Sequence, residues 1–425
     1  MKRYTTFLPY TMWGCAVLYY LFQYVIRVSP AVLMDDIMQA FHLNAQGFAT
    51  LSALAMYAYA FMQIPAGIAA DTFGTRRVIL CSIILCVCGI ALFAAAPSLW
   101  VASLGRICIG VGSAAAFLSV NKIGTTWFPP HRTALVFGLT MTAGTIGAIN
   151  GAAPLSALIS YLGWRESLFI VSGVGLLIFF VNFFFLKPHP HGNPLQNIKE
   201  DSENALPQKT TLKAIGRHLR MVLTDKQIML LALVSAGLYL PLGVLADLWG
   251  VSYLIQSHGI EKIYAAQATS LIYIGLCVGS LTLSWLSDRL GKRKRLIVSM
   301  AFSISLWMAL FLYVPHLPMS LICILLFLIG FSASATILCF TLGVESAGIE
   351  VRGTVIGFIN SVTTIGGAFT QQQVGKILDY VWCGQCTADG LRFYTVSEYQ
   401  KALSMMIVVV IITTFLSLFL KEKDR

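Results

Sequence analysis

The sequence predicts an all-α integral membrane protein with twelve transmembrane helices in two pseudo-symmetric six-helix bundles. Three observations carry that expectation. The first is composition: of 425 residues, 57% are hydrophobic and only 11% charged, a balance foreign to a water-soluble domain of this length. The second is spacing. Apolar runs of the length that spans a 30 Å hydrocarbon core fall near 8–29, 47–69, 78–96, 99–127, 134–158 and 167–186, then 228–255, 265–287, 296–314, 318–343, 354–379 and 400–420. The third is repetition. Gly67-Ile68-Ala69-Ala70-Asp71-Thr72-Phe73-Gly74-Thr75-Arg76-Arg77 returns in degraded form as Ser284-Trp285-Leu286-Ser287-Asp288-Arg289-Leu290-Gly291-Lys292-Arg293-Lys294. Asp71 and Asp288, Gly74 and Gly291, and Arg76 and Arg293 each lie 217 residues apart. A membrane unit present twice is a mark of transporters.

Taken in order, the gaps say how the spans connect. Ala96-Pro97-Ser98 is so short that the third and fourth spans must be antiparallel neighbours, and Pro315-His316-Leu317-Pro318 imposes the same on the ninth and tenth. The opening of the fifth span, Arg132 to Gly138, is echoed by Arg352 to Gly357 at the eleventh. In the repeated loops, Gly74 and Gly291 permit a tight turn without a Cβ penalty. Their carboxylates can stabilise a neighbouring helix N-terminus or pair with the adjacent bases. Between the sixth and seventh spans a polar stretch begins Lys187-Pro188-His189-Pro190-His191 and reads as a linker. The expected division is an N-terminal bundle at 1–186, a cytoplasmic linker at 187–227 and a C-terminal bundle at 228–425. Leu212 to Leu223, with Lys213, Arg217 and Arg220, has the make-up of a basic amphipathic helix for an anionic leaflet.

The net charge of +11 does not imply nucleic acid, because the bases sit in short loops between apolar runs. That is the positive-inside pattern, and it places both termini in the cytoplasm. Met1-Lys2-Arg3 before an apolar run, with no small-residue cleavage site, reads as an uncleaved first span. Eight of the ten cysteines stand singly in apolar runs, where cysteine behaves as a small hydrophobe. Cys383 and Cys386 form the one C-x-x-C pair in a polar loop, too few for a closed zinc site and open to a local disulfide if the loop faces outward. No Walker loop, zinc helix or nucleophile elbow is found, so no catalytic residue, cofactor or metal is expected, and transport must draw on gradients. No Asn-x-Ser/Thr sequon is present, and a bacterial inner membrane is the expected location.

Gly-x3-Asp-x2-Gly-x-Arg-Arg between the second and third spans, echoed between the eighth and ninth, resembles the signature loop of the major facilitator superfamily. In that family the loop helps lock the two halves on the cytoplasmic side. The second copy departs at Ser284, where the family usually has Gly. The run Arg106-Ile107-Cys108-Ile109-Gly110-Val111-Gly112-Ser113-Ala114-Ala115 is similar to the family's span-4 motif, with Ile109 where Gln is usual. The resemblance gives Arg106 a supporting role in the N-terminal half. Phe22-Gln23-Tyr24-Val25-Ile26-Arg27 resembles the span-1 Tyr-x-x-Arg element of organic-anion symporters of the superfamily, whose arginine meets a substrate carboxylate.

Ionisable residues inside spans are expensive and therefore functional candidates. Arg27 suits a planar oxyanion through its guanidinium fork; the other role open to it is snorkelling to outer headgroups. Lys122 offers either an inner cationic gate or a snorkelling end. Asp247, the one acid well inside a span, suits a proton carrier, a partner for a cationic substrate group, or a fixed ion pair with Arg27. The expected substrate-binding set is Arg27, Tyr24, Gln23, Lys122, Asn150, Tyr239 and Asn360, with Asp247 in proton coupling. Gating and structural roles fall to Gly67, Asp71, Gly74, Arg76, Arg77, Arg106, Asp288, Gly291 and Arg293. Pro241 and Gly243 are expected to break the seventh span, and Gly366-Gly367 the eleventh. The expected function is alternating-access transport of a small carboxylate-bearing organic or sugar acid, coupled to protons, by a monomer in the lipid bilayer. Two alternatives stand beside it: an amino-acid or dipeptide carrier, since Gly105 to Asn150 also looks like the lysosomal dipeptide carriers of the superfamily, and a non-transporting sensor or scaffold.

Overall fold

The computed structural model describes residues 4–129, 132–187, 220–347, 351–387, 390 and 392–422, with the backbone alone described at 4–7, 71, 133–135 and 137. The expected amphipathic stretch from Leu212 therefore falls mostly outside the described residues, as do His189 and His191. Helices account for nearly all of what is described. In the first half they are α1 (Tyr4–Val28), α2 (Pro30–Phe41), α3 (Ala45–Thr72), α4 (Thr75–Ala94), α5 (Leu99–Ser113), α6 (Ala115–Trp127), α7 (Thr133–Leu162) and α8 (Trp164–Phe185). In the second half come α9 (Lys226–Leu240), a π-helical stretch (Pro241–Trp249), α10 (Gly250–His258), α11 (Lys262–Leu290), α12 (Arg293–Tyr313), α13 (Met319–Ala333), α14 (Thr336–Ser346), α15 (Arg352–Val381) and α16 (Val396–Leu418).

Ten of the resulting rods are long and apolar enough to cross a membrane, and α1 with α2, bent by 48°, makes an eleventh. The bend falls at Ser29-Pro30, where proline opens the new helix. α15 occupies the place expected of the remaining span and runs for 30 residues. It is rich in Thr, Asn and Gln, including Gln371, Gln372 and Gln373, so apolarity alone does not mark it as a span.

Two expected breaks are absent. The chain passes Pro241 and Gly243 without losing its helix, because the hydrogen bonding widens to a π-helix through Trp249. Proline's missing N–H is absorbed there rather than breaking the span. α15 likewise continues through Gly366-Gly367.

The loops between spans obey simple backbone chemistry. Gly74 and Gly291 turn the repeated loops with φ of 87° and 62°, in the region where a side chain is strained. The two halves meet chiefly where α3 lies along α15 and α7 along α11. The end of the molecule carrying Lys187 and Lys226 is termed the linker end, and the opposite one the far end.

Candidate functional site

A cavity of about 780 Å³ lies between the two halves, within the range of small-molecule sites. One face comes from α1, where Tyr20, Gln23, Tyr24 and Arg27 line it at helical positions i, i+3, i+4 and i+7, a single stripe of the helix. The facing wall includes Tyr239, Tyr273 and Asn360. Thr125, Glu345 and Arg352 are exposed at its linker end, whereas Gln23 and Tyr273 are buried. The cavity therefore opens at the linker end and is closed toward the far end.

At its closed end an ion pair joins the halves. Arg27 donates from Nη2 at 3.0 Å and from Nε at 3.2 Å to the same oxygen, Oδ2, of Asp247. The Tyr273 hydroxyl donates to the other oxygen, Oδ1, and the Tyr239 hydroxyl reaches Oδ2 at 3.4 Å. The rings of Tyr24 and Tyr239 each lie 5.4 Å from the guanidinium, close enough for cation–π attraction. The Asp247 side chain is 2% exposed and that of Arg27 18%. The desolvated Asp247 carboxylate is sustained by the opposite charge of Arg27 and by the two tyrosine hydroxyls that donate to it; removing one partner strands the other.

Asp247 is aimed by the π-helical stretch. That stretch frees the Gly243 carbonyl, which accepts from the Gln371 side-chain amide, while the Trp249 indole donates to the Gln371 backbone carbonyl at 3.2 Å. Gln371 thus bolts the widened turn to α15.

Of the residues singled out from the sequence, Gln23, Tyr24, Arg27, Tyr239 and Asn360 line this one cavity, and Asp247 stands behind Arg27. Lys122 is not part of the lining: its ammonium donates to the Ala70 carbonyl at 2.7 Å, tying α6 to the end of α3. Asn150 is exposed and donates to Ile146 of its own helix at 2.8 Å. Arg106 is 5% exposed and donates to the Ser52 carbonyl at 2.9 Å, inside the first half. Gly67 sits within α3. Arg76 reaches the Phe183 carbonyl at 2.6 Å, and Arg77 is exposed. Asp71's side chain lies outside the described residues. Asp288 pairs with Arg293 at 3.1 Å, and Arg293 also binds Glu345 at 2.9 Å; all three belong to the second half.

Tyr20, Tyr59 and the mouth residue Arg352 line the cavity in addition to the residues expected from the sequence. Tyr20 was within reach, since it precedes Tyr24 by four residues.

Cys383 and Cys386 carry free, exposed thiols. Among the described residues no group of three His, Cys, Asp or Glu is placed to hold a metal ion.

The family model described as Major Facilitator Superfamily matches residues 12–370. An uncharacterised transporter of Bacillus subtilis, YybO, is 23% identical over 84% of either chain. A probable sulfoacetate transporter of Cupriavidus necator, SauU, is 25% identical over 66% of this chain and 65% of its own. Among solved structures, a bacterial homologue of the human lysosomal transporter Spinster, inward-facing and unoccupied, superposes with a TM-score of 0.77 at 16% identity, covering 98% of this chain and 97% of its own.

Proposed function

For a chain that belongs to the major facilitator superfamily, and is therefore a multi-pass membrane transporter rather than an enzyme, we propose proton-coupled transport of a small carboxylate-bearing organic acid. The bundles at 1–186 and 228–425 rock about the site, with 187–227 as the linker between them. The positive-inside pattern puts the linker end in the cytoplasm of a bacterial cell, so the cavity faces inward in this conformation. The relationship to a probable sulfoacetate transporter supports an organic anion.

The observation that carries the reading is the Arg27–Asp247 pair across the halves. A substrate carboxylate and Asp247 compete for the same guanidinium face. With Asp247 ionised, Arg27 is neutralised and has little to offer an anion. Protonating Asp247 removes its claim, and Arg27 can turn its fork to the substrate. Tyr273 and Tyr239 hold Asp247 in place through the exchange. A monoanion carried with one proton moves no net charge, so the cycle is insensitive to membrane potential.

The test is uptake of labelled organic acids, amino acids and dipeptides into proteoliposomes, with and without an inward proton gradient. Gradient-stimulated uptake of an organic acid that is lost in Arg27→Ala is the expected result. Dipeptide uptake that Arg27→Ala leaves intact would falsify this assignment of the site.

A further inference from the structure

A side chamber of about 40 Å³ adjoins the main cavity, sharing Gln23, Arg27, Tyr59 and Thr364 with it and lined further by Arg106 and Ser113. Arg27 is already neutralised by Asp247. Arg106 is not neutralised. Among the described residues its single hydrogen bond goes to a neutral acceptor, the Ser52 carbonyl, at 2.9 Å, and its Nε has no partner. The Phe93 ring 5.9 Å away is its other attractive neighbour. The residue is 5% exposed, and among the described residues no carboxylate forms an ion pair with it. A guanidinium so desolvated needs a counter-charge, and uncompensated burial of this kind is among the costliest arrangements in a protein interior.

We propose that this chamber binds a single chloride-sized anion, held by Arg106 with Ser113, Gln23 and Tyr59 supplying neutral donors. Volume supports the assignment: a cavity accepts one small guest above roughly 10–15 Å³ of probe-occupied space. The chamber has room for one ion with at most a water or two. Chemistry supports it equally, since hydroxyl and amide groups can all turn a donor toward an anion. Thr364 belongs to the second half, so part of the chamber wall is lost whenever the halves separate there. Anion binding therefore favours the conformation described here.

The experiment is thermal unfolding of the purified full chain in sodium gluconate and in sodium chloride at equal ionic strength, without substrate. A ligand that binds the folded state raises its melting temperature with concentration. The expected result is a saturable rise of about 2–4 °C in chloride. In Ser113→Asp, a carboxylate enters the chamber beside Arg106. That variant should melt in gluconate no lower than the parent and show no chloride-dependent rise. Arg106→Met should also lose the rise, at whatever baseline stability it has. Equal melting of the parent in both salts means that water alone fills the chamber and overturns the proposal. So does an undiminished chloride effect in Ser113→Asp and Arg106→Met, and so does an acetate effect matching that of chloride, which would assign the chamber to a carboxylate group. Substrate transport enters none of these readings, so the outcome is independent of the transport assignment.

Discussion

The far end and the linker end of this transporter are built on opposite plans. At the far end the halves interlock. Asp379, near the end of α15, accepts from the backbone N–H of Gln46 at 2.8 Å and of Ala45 at 3.3 Å, the opening residues of α3 in the other half. It therefore caps a helix N-terminus across the interface, where exposed N–H groups and the helix dipole favour a carboxylate. Arg392 and the Tyr394 hydroxyl hold Asp379 in position at 2.9 and 2.6 Å. Burial and that donation to Asp379 push the Tyr394 phenol well above its ordinary pKa. Lys262 adds a bridge to Asp36 at 3.4 Å, and Phe48 packs edge-on to Trp249 at 5.9 Å. At the linker end, by contrast, Arg76 and the Asp288–Arg293–Glu345 cluster bond inside their own halves. Glu422, beyond α16, caps the N-terminus of α12 at Arg293 and Lys294. The same device, a carboxylate on a helix N-terminus, crosses the halves at one end and stays within a half at the other. In this conformation the seal is at the far end, and the bonds described for Arg76, Asp288 and Arg293 of the repeated loops stay within their own halves.

The largest effect should come from the pair that joins the halves at the closed end of the cavity. Arg27→Ala strands the Asp247 carboxylate and is expected to cost about 3–5 kcal/mol, the penalty for breaking a buried pair. Replacing both residues (Arg27→Met with Asp247→Leu) should recover most of that stability without recovering transport. Thermal unfolding and uptake on the same preparations separate the two effects.

Next comes the seal. Asp379→Asn removes a charge-assisted cap, a change of about 1–2 kcal/mol. That shifts the balance toward a far-end-open state by roughly 5–30-fold. The readout is labelling of Phe48→Cys by an impermeant maleimide, which should accelerate accordingly; an unchanged rate would show that the cap does not hold the seal.

The linker end should respond least. The Asp288 side chain is 67% exposed in its ion pair with Arg293, and exposed pairs contribute about 0–1 kcal/mol. Asp288→Asn should therefore leave melting within about a degree while slowing transport, as expected from the signature loop that this segment resembles, which acts in the conformation closed at the linker end. A melting loss as large as that of Asp379→Asn would contradict the contrast between the ends.

How much of this was legible in the sequence follows from which interactions are local. The spans, the repeated loops and their turning glycines are set by composition and backbone conformation, and the chain carries those openly. The α1 stripe was partly readable for the same reason: Gln23, Tyr24 and Arg27 sit one turn apart. Asp247 was visible as a lone buried acid, and pairing with Arg27 was one of three roles open to it. What fixed the choice is 220 residues of intervening chain and a π-helical stretch that no periodicity announces. The seal was hidden more deeply. Nothing in the sequence marks Asp379 as a cap, since its partners, the N–H groups of Ala45 and Gln46, are backbone atoms that every sequence possesses. Lys122 and Asn150 were singled out by residue type alone, and each is occupied by a nearby carbonyl instead.

A smaller, local effect is expected in the far-end loop. The Cys383 thiol is pushed above its ordinary pKa, chiefly by donating to the Glu398 carboxylate. Less thiolate is then present at neutral pH, and the rate of alkylation follows the thiolate. Glu398→Gln, which retains a capping residue for α16, should speed maleimide labelling of Cys383 a few-fold at neutral pH and leave the rate at strongly alkaline pH unchanged.

The most direct measurement of the central claim, that Asp247 and substrate compete for Arg27 under control of a proton, uses Asp247→Asn in two assays on one proteoliposome preparation. The neutral side chain mimics a permanently protonated aspartate and leaves Arg27 free for the substrate carboxylate. Counterflow exchange of substrate is expected to persist while accumulation driven by a proton gradient disappears. Gradient-driven accumulation at the parent rate in Asp247→Asn would contradict it and move proton coupling to another group.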